Sequence, residues 1–473
     1  MIQRPWSCDT FVALPDATRG GATIFGKNSD RPAGEAQPLR RSPARTAGAP
    51  LRLAYLTIED ADSYAHIGSA PFWCWGYEIG VNEHRVAIGN EAVFTRAWAS
   101  AVADESAGRG PQPGILGMEL VRLGLERGAT AHQAVTVMTR LLEEHGQWGS
   151  AIVGKDHGPG AYDNAYLIAD PNEAWILETA GRDWAAKRVR SGPYAISNEL
   201  SIRTDPDLMS DGLARRAVDA GWYPADRTFD VADAYTDPGT PLQVSHLRRR
   251  RAQELLAAAA RTGGGLDVPA AFGVLRDHLE GTFLGGPTFD AARPDFLTLC
   301  MHEHPSGFTW GNTAASLVVE LHADPDRPVA LWWCPVTPCT GVYVPYFVES
   351  GRLPDNVQRP LPAGTSWDPR DHSAAGHDPV STWWRWQQLL DAAKDPAARD
   401  FANRAAAIRR EFDALEREWL VASADVKPDP SELAAFTDYC LGAATRTATE
   451  FIERFGADPQ RPVDPRWSAA VTV

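Results

Sequence analysis

No stretch of the 473-residue chain reaches the roughly 18 consecutive apolar residues of a membrane-spanning helix, so neither a span nor a membrane partner is expected. Residues 1–7 lack the apolar run of a secretory signal, and cytoplasmic residence is the expectation. Lysine is scarce, with five among 46 basic residues against 61 acidic ones, and the net charge is −15. Such a balance disfavours nucleic acid and anionic surfaces as partners. Only "HLRRRRAQELL" concentrates positive charge, and it reads first as a charged helix face.

Cysteine is also sparse. The six cysteines (Cys8, Cys74, Cys300, Cys334, Cys339 and Cys440) are spread along the chain without a C-x-x-C pair, which predicts reduced thiols rather than a disulfide framework. A metal site would need clustered Cys and His. "CMHEHPSG" offers Cys300, His302 and His304, but a second ligand group is missing, so no metal and no cofactor are predicted.

What remains is the composition of an ordinary globular protein, 44% hydrophobic and 23% charged, long enough for one large core with a satellite or for two to three domains. The first two-thirds reads as strands joined by tight turns. Ala165–Ala169 and Ala174–Thr179 flank the turn residues Asp170-Pro171-Asn172-Glu173. "ASLVVELHADPDRPVALWWC" repeats the device around Asp324–Asp326, and "GYEIGVNEHRVAIGNEAVF" turns near Glu83-His84. Short connections of this kind predict antiparallel sheet. Between the hairpins, one helix stops at Gly128 and a second starts from Thr130, with Gln133 completing a capping-box pattern. Residues 351–378 are rich in Pro, Gly and Asp and read as a linker or surface excursion. Residues 379–473 read as long helices packed on the core.

The N-terminus carries the chemistry. A thiol is a weak nucleophile until its proton is removed or its pKa falls. Removing residues 1–7 would place a free α-amine, with an ordinary pKa of about 7.7–8.0, on the same residue as the Cys8 thiol. A buried cysteine at the head of a strand is the ordinary alternative. The hairpin "CDTFVALPDATRGGATIFGKNSD" returns Lys27 and Asp30 beside Cys8. Lys27 could depress the thiol pKa or bind a substrate carboxylate, and Asp30 could orient the amine.

Together, "CDTFVALPDAT…TIFGKNSDRPAGEAQ", "WGYEIGVNEHRVAIGNEAVFT", "GILGMELVRLGLERG", "DPNEAWILETAGRDWAAKRV", "YAISNELSI" and "TPCTGVYVPYF" resemble the secernin and dipeptidase A family of N-terminal nucleophile hydrolases, in its bacterial secernin-like branch. The resemblance implies an α+β fold: an αββα sandwich of two antiparallel sheets over residues 8–350, with the C-terminal helical region added. It assigns Cys8 as nucleophile and, through its amine, as base. Asp30 and Lys27 fall in the family's Gly-basic-Asn-x-Asp element. Asn90 matches an oxyanion-hole asparagine and Asn198 an asparagine near the terminal amine. For the arginine, "VSHLRRRRAQ" fits in more than one register, with Arg248 favoured as a substrate-binding residue beside Lys27.

The expected function is a metal-free cysteine amidohydrolase, foremost a dipeptidase acting on a dipeptide or other small-molecule substrate through a thioester. An N-acyl amide hydrolase of the same clan is the first alternative. A non-catalytic secernin-like regulatory or binding protein that keeps its prefix is the second. Association into a homo-oligomer is left open.

Overall fold

Strict alternation of side chains builds two stacked sheets. The computed structural model describes residues 7–152, 158, 160–240, 243–304, 309, 311–360, 376–395 and 399–456. Most of the prefix and much of the 351–378 connection therefore lie outside the described residues. One sheet has six strands in the order β12 (Pro193–Ile196), β1 (Cys8–Ala13), β2 (Thr23–Pro32), β14 (Gly311–Leu321), β15 (Ala330–Pro335) and β16 (Val344–Phe347). The other has eight: β13 (Leu208–Met209), β11 (Asp183–Val189), β10 (Ala174–Ala180), β9 (Asp163–Ala169), β8 (Ala87–Val93), β7 (Ile79–Asn82), β6 (His66–Ser69) and β3 (Leu39–Ser42). A small hairpin pairs β4 (Leu51–Arg52) with β5 (Thr57–Ile58). Every pairing between these strands is antiparallel.

The three predicted hairpins form. Ala174 pairs with Ala169 across β9 and β10, and Asp170 Oδ1 accepts from Asn172 N at 2.8 Å and Glu173 N at 3.1 Å to close the turn. Between β7 and β8 the Asn82 side chain accepts from the N–H groups of His84 and Val86. β14 and β15 pair on either side of the third turn.

Period two decides which face each residue serves. On β9, Ala165, Leu167 and Ala169 enter the core between the sheets, whereas Tyr166 and Ile168 face helices. Those helices are α2 (Gly117–Arg127) and α3 (Ala131–His145), which follow α1 (Arg96–Ser106) in the chain. Thr130 caps α3 by accepting from Gln133 N at 3.1 Å, while Gln133 Oε1 accepts from Ala129 N rather than from Thr130. After α4 (Leu213–Asp219) and α5 (Val231–Tyr235), the six-stranded sheet is covered by α6 (Gln243–Arg261) and α7 (Val268–Leu275). Beyond the short α8 (Asp355–Gln358) come α9 (Thr382–Ala393), α10 (Phe401–Ser423) and α11 (Pro430–Arg454). α9 and α11 pack on β15 and β16, and their buried Trp383, Trp386, Phe451 and Ile452 join the same core as the inter-sheet residues. The result is four layers, helix–sheet–sheet–helix, with the C-terminal helices extending one outer layer. No helix among the described residues is long and apolar enough to cross a membrane.

Candidate active site

β1 is a central strand of its sheet, and Cys8 is its first residue. Across β1 and β2, Cys8 lies opposite Ser29 and Thr10 opposite Lys27. Alternation sends Cys8 and Thr10 toward the second sheet and Asp9 toward the helices. Thr10 accordingly donates its hydroxyl to Glu91 Oε1 on β8, and Asp9 Oδ2 accepts from Arg248 Nε of α6 at 2.8 Å. Cys8 is 5% exposed. Its sulfur accepts from Asp30 N at 3.4 Å, and its main-chain nitrogen donates to Asn198 Oδ1 at 2.9 Å.

Asn198 is held from three sides. Its Oδ1 also accepts from Arg248 Nη2 at 2.6 Å, and its Nδ2 donates to the Ala92 carbonyl at 2.8 Å. The same Arg248 nitrogen donates to Ser197 Oγ at 2.9 Å. Arg248 thus ties Asp9, Ser197 and Asn198 into one buried bracket around the Cys8 nitrogen.

Lys27 crosses to the second sheet. Its Nζ donates to the Asn90 carbonyl at 2.6 Å and lies 3.3 Å from Glu91 Oε1. Room for its stem comes from Gly89, where a Cβ would stand 2.7 Å from Lys27 Cδ. Both Lys27 and Arg248, expected as substrate-binding cations, are buried and already carry partner carboxylates, so neither offers a free charge to a substrate.

Asn90 is placed differently from the other asparagine. On β8, Ala87 and Val93 face the inter-sheet core and Ile88 faces the helices, so Asn90 and Glu91 take opposite faces. The Asn90 amide lies 3.1 Å from Asn164 Oδ1, and turned about it donates to Glu78 Oε2 at 2.9 Å. Its contact with the cysteine cluster runs through its carbonyl to Lys27. Glu91, which sequence reasoning passed over, is the β8 side chain that enters the cluster. Its place next to Asn90 on an alternating strand, and so on the opposite face, was the available signal.

Burial governs the electrostatics. It pushes the Cys8 thiol up to about 12, against the pull of the Lys27 ammonium. For Lys27 burial works against the charge, but nearby Cys8, Glu91, Glu78 and Asp30 outweigh it and hold the amine protonated. Burial pushes Glu91 up to about 7, with Lys27 and Thr10 opposing. Asp30 also rises to about 7, through burial and the neighbouring Asp9, with Thr313 and Arg248 opposing. Thr313 Oγ1 donates to Asp30 Oδ1 at 2.7 Å beside a register shift in β14. Asp30 Oδ2 is buried without a hydrogen-bond partner among the described residues.

A carboxyl whose folded-state pKa stands above its unfolded value of about 3.9 contributes stability that is intact below that value and lost as pH rises through the folded pKa. For Asp30 that window runs from about 4 to about 7. Asp30→Asn should therefore gain stability relative to the wild type across this window. Urea unfolding at several pH values measures the difference, and a flat or falling difference would refute the assignment.

The four layers form the αββα sandwich of two antiparallel sheets expected from the sequence, with a cysteine heading an inner strand and its nitrogen bracketed by buried side chains. The chain is similar to peptidase family C69, whose model matches residues 74–240. A dipeptidase from Bifidobacterium longum (strain NCC 2705) is 28% identical over 215 residues, which cover 41% of this chain and 38% of that protein. The match thus spans well under half the length of that relative. Among solved structures, a variant of conjugated bile acid hydrolase from Clostridium perfringens is 13% identical, covering 68% of this chain and 88% of that one at a TM-score of 0.39. The Caenorhabditis elegans ortholog of N-acylethanolamine-hydrolyzing acid amidase is 13% identical over 66% of this chain and 92% of its own, at a TM-score of 0.29.

Proposed function

We propose that this chain is a cysteine amidohydrolase that cleaves dipeptides from an N-terminal Cys8. The observation that carries the reading is the bracket of Asn198, Arg248 and Asp9 around the Cys8 nitrogen, an investment in an atom that a merely structural cysteine would leave to its sheet. With the Ser7–Cys8 bond intact that nitrogen is an amide and the thiol is protonated, so the chain is a dormant precursor. Cleavage of the bond frees an amine with an ordinary pKa of about 7.7–8.0, close enough to accept the thiol proton. The unpartnered Oδ2 of Asp30 then takes an N–H of the amine and keeps its lone pair toward sulfur.

In the reaction the thiolate attacks the substrate carbonyl carbon, and the carbonyl oxygen takes the negative charge. Lys27 stabilises the thiolate as a nearby fixed cation. Strand register points the Ala92 N–H and C=O to the edge beyond β7, where Asn198 already holds the carbonyl. The Ala92 N–H takes the oxyanion role that the family resemblance gave to the Asn90 amide. Collapse passes the proton from the ammonium to the leaving amine and leaves a thioester. Water, deprotonated by the same amine, releases the acid and regenerates the thiol.

Intact-mass analysis of active enzyme should show a chain beginning at Cys8. Full activity from protein that retains Met1–Ser7 would end the amine-base mechanism. A panel of dipeptides and N-acyl amines tests the substrate class: turnover should concentrate on the dipeptides, and turnover of the acyl amines alone would reassign the chain as an acylase.

A further inference from the structure

Far along the chain from Cys8, four buried side chains converge: His278, Cys300, His302 and Cys339. Their ligand atoms all lie within 4.8 Å of one another. The Cys300–His302 pair was visible in "CMHEHPSG", and the ligand group it lacked arrives from two remote segments. His278 follows α7, and Cys339 sits in the turn after β15. His304, the third residue of that motif, is not one of the four.

His302 Nε2 lies 3.2 Å from His278 Nε2, 3.5 Å from Cys300 Sγ and 3.3 Å from Cys339 Sγ. A neutral imidazole nitrogen has either one hydrogen or one lone pair, so hydrogen bonding cannot satisfy three such neighbours at once. One cation at their centre can. With Zn–N of about 2.05 Å and Zn–S of about 2.3 Å, a regular tetrahedron has edges of about 3.3 Å for N···N and about 3.6 Å for S···N. The three separations from His302 Nε2 are within a few tenths of these values.

The surroundings fit a bound ion. Glu280 Oε1 lies 3.1 Å from His278 Nδ1, the carboxylate contact that turns the other ring nitrogen toward a metal. Phe289 stacks on His278 at 3.8 Å, and Phe401 of α10 meets His302 edge-on at 6.1 Å, so apolar rings wall the cluster. Two thiolates would neutralise a divalent ion, which removes the charge penalty of burying it.

We propose that His278, Cys300, His302 and Cys339 bind one zinc ion as a structural Cys2His2 site. Sulfur and imidazole ligands select zinc over magnesium or calcium, and four protein ligands close the coordination sphere. Binding releases the two thiol protons to solvent. The ion would pin together the loop after α7, the segment leading into β14 and the turn after β15. That segment reaches the candidate active site, because Met301 N donates to Thr313 Oγ1 at 2.9 Å and Thr313 donates to Asp30.

Elemental analysis of purified full-length protein should find about one zinc per chain, as one four-ligand site requires. After chelation under reducing conditions, cobalt(II) should restore one equivalent, with the visible bands of a tetrahedral ion and a thiolate charge-transfer band. Glu280→Gln should weaken metal affinity about 10- to 100-fold, as loss of a ligand-orienting carboxylate does. Cys334→Ser, which alters a buried cysteine outside the four, should keep full stoichiometry, and Cys339→Ser should lose it. If Cys339→Ser fails to fold, the wild-type cobalt spectrum and the Glu280→Gln affinity still decide. Reduced wild-type protein that takes up neither zinc nor cobalt would overturn the site, as would a Cys300–Cys339 disulfide whose reduction yields no metal uptake.

Discussion

Cys8→Ala should abolish amide hydrolysis while leaving the protein nearly as stable as the wild type. The substitution removes one buried sulfur, comparable in transfer free energy to a methylene at about 0.8 kcal/mol, and one weak contact with the Asp30 N–H. It also removes the attacking atom of the proposed reaction. Cys8→Ser is the sharper control. It keeps a hydroxyl and can still yield a free amine, but an alcohol ionises far above the ordinary thiol value of about 8.5. Turnover should fall steeply in the serine variant and vanish in the alanine variant. A structural cysteine would show the opposite pattern, with activity per folded molecule preserved and a modest loss of stability. Turnover, melting temperature and intact mass of both variants separate the two. Hydrolysis by Cys8→Ala at the wild-type rate would end the N-terminal nucleophile reading.

Arg248→Leu should be the most destabilising single change at the site. It strips Asp9 of its buried partner and leaves Ser197 and Asn198 without their shared donor. Removing one member of a buried ion pair costs about 3–5 kcal/mol, because the remaining charge is stranded. Asp9 is already held above the usual carboxylate range by burial, with Arg248 as the main opposing influence. Arg248→Lys separates charge from geometry. An ammonium can still face Asp9, but it lacks the planar fork that reaches Asn198 as well. The lysine variant should recover much of the stability but little of the turnover, with kcat falling more than KM, because the loss is in placement of the Cys8 amine. Wild-type stability and kcat in Arg248→Leu would remove Arg248 from the site.

Much of this architecture was legible from local chemistry. The Asp170 turn, the Asn82 turn and the Thr130 cap are closed by side-chain-to-backbone bonds within four residues, which a sequence displays directly. Cys8, Lys27 and Asp30 were legible together for the same reason, since one hairpin sets their spacing. Asn198 and Arg248 were reached through family resemblance, and their contacts span about 190 and 239 residues.

By itself, then, the sequence determined the alternation that makes sheets, the turns that make them antiparallel and the hairpin that carries the thiol. Tertiary structure alone decided the rest. In the arginine run, successive helical residues point about 100° apart. Docking of α6 sends Arg248 inward to Asp9, Arg249 to Glu199 and Arg251 to Asp277, and leaves Arg250 at the surface. On β8, alternation guarantees that Asn90 and Glu91 face opposite ways, but only the stacking of the second sheet makes Glu91 the inward residue. Cys300 and His302 show in their own segment only half of a ligand set, and His278 and Cys339 join them because the loop after α7 and the turn after β15 meet near the segment leading into β14. Such contacts depend on how layers pack, a property no short stretch of chain contains.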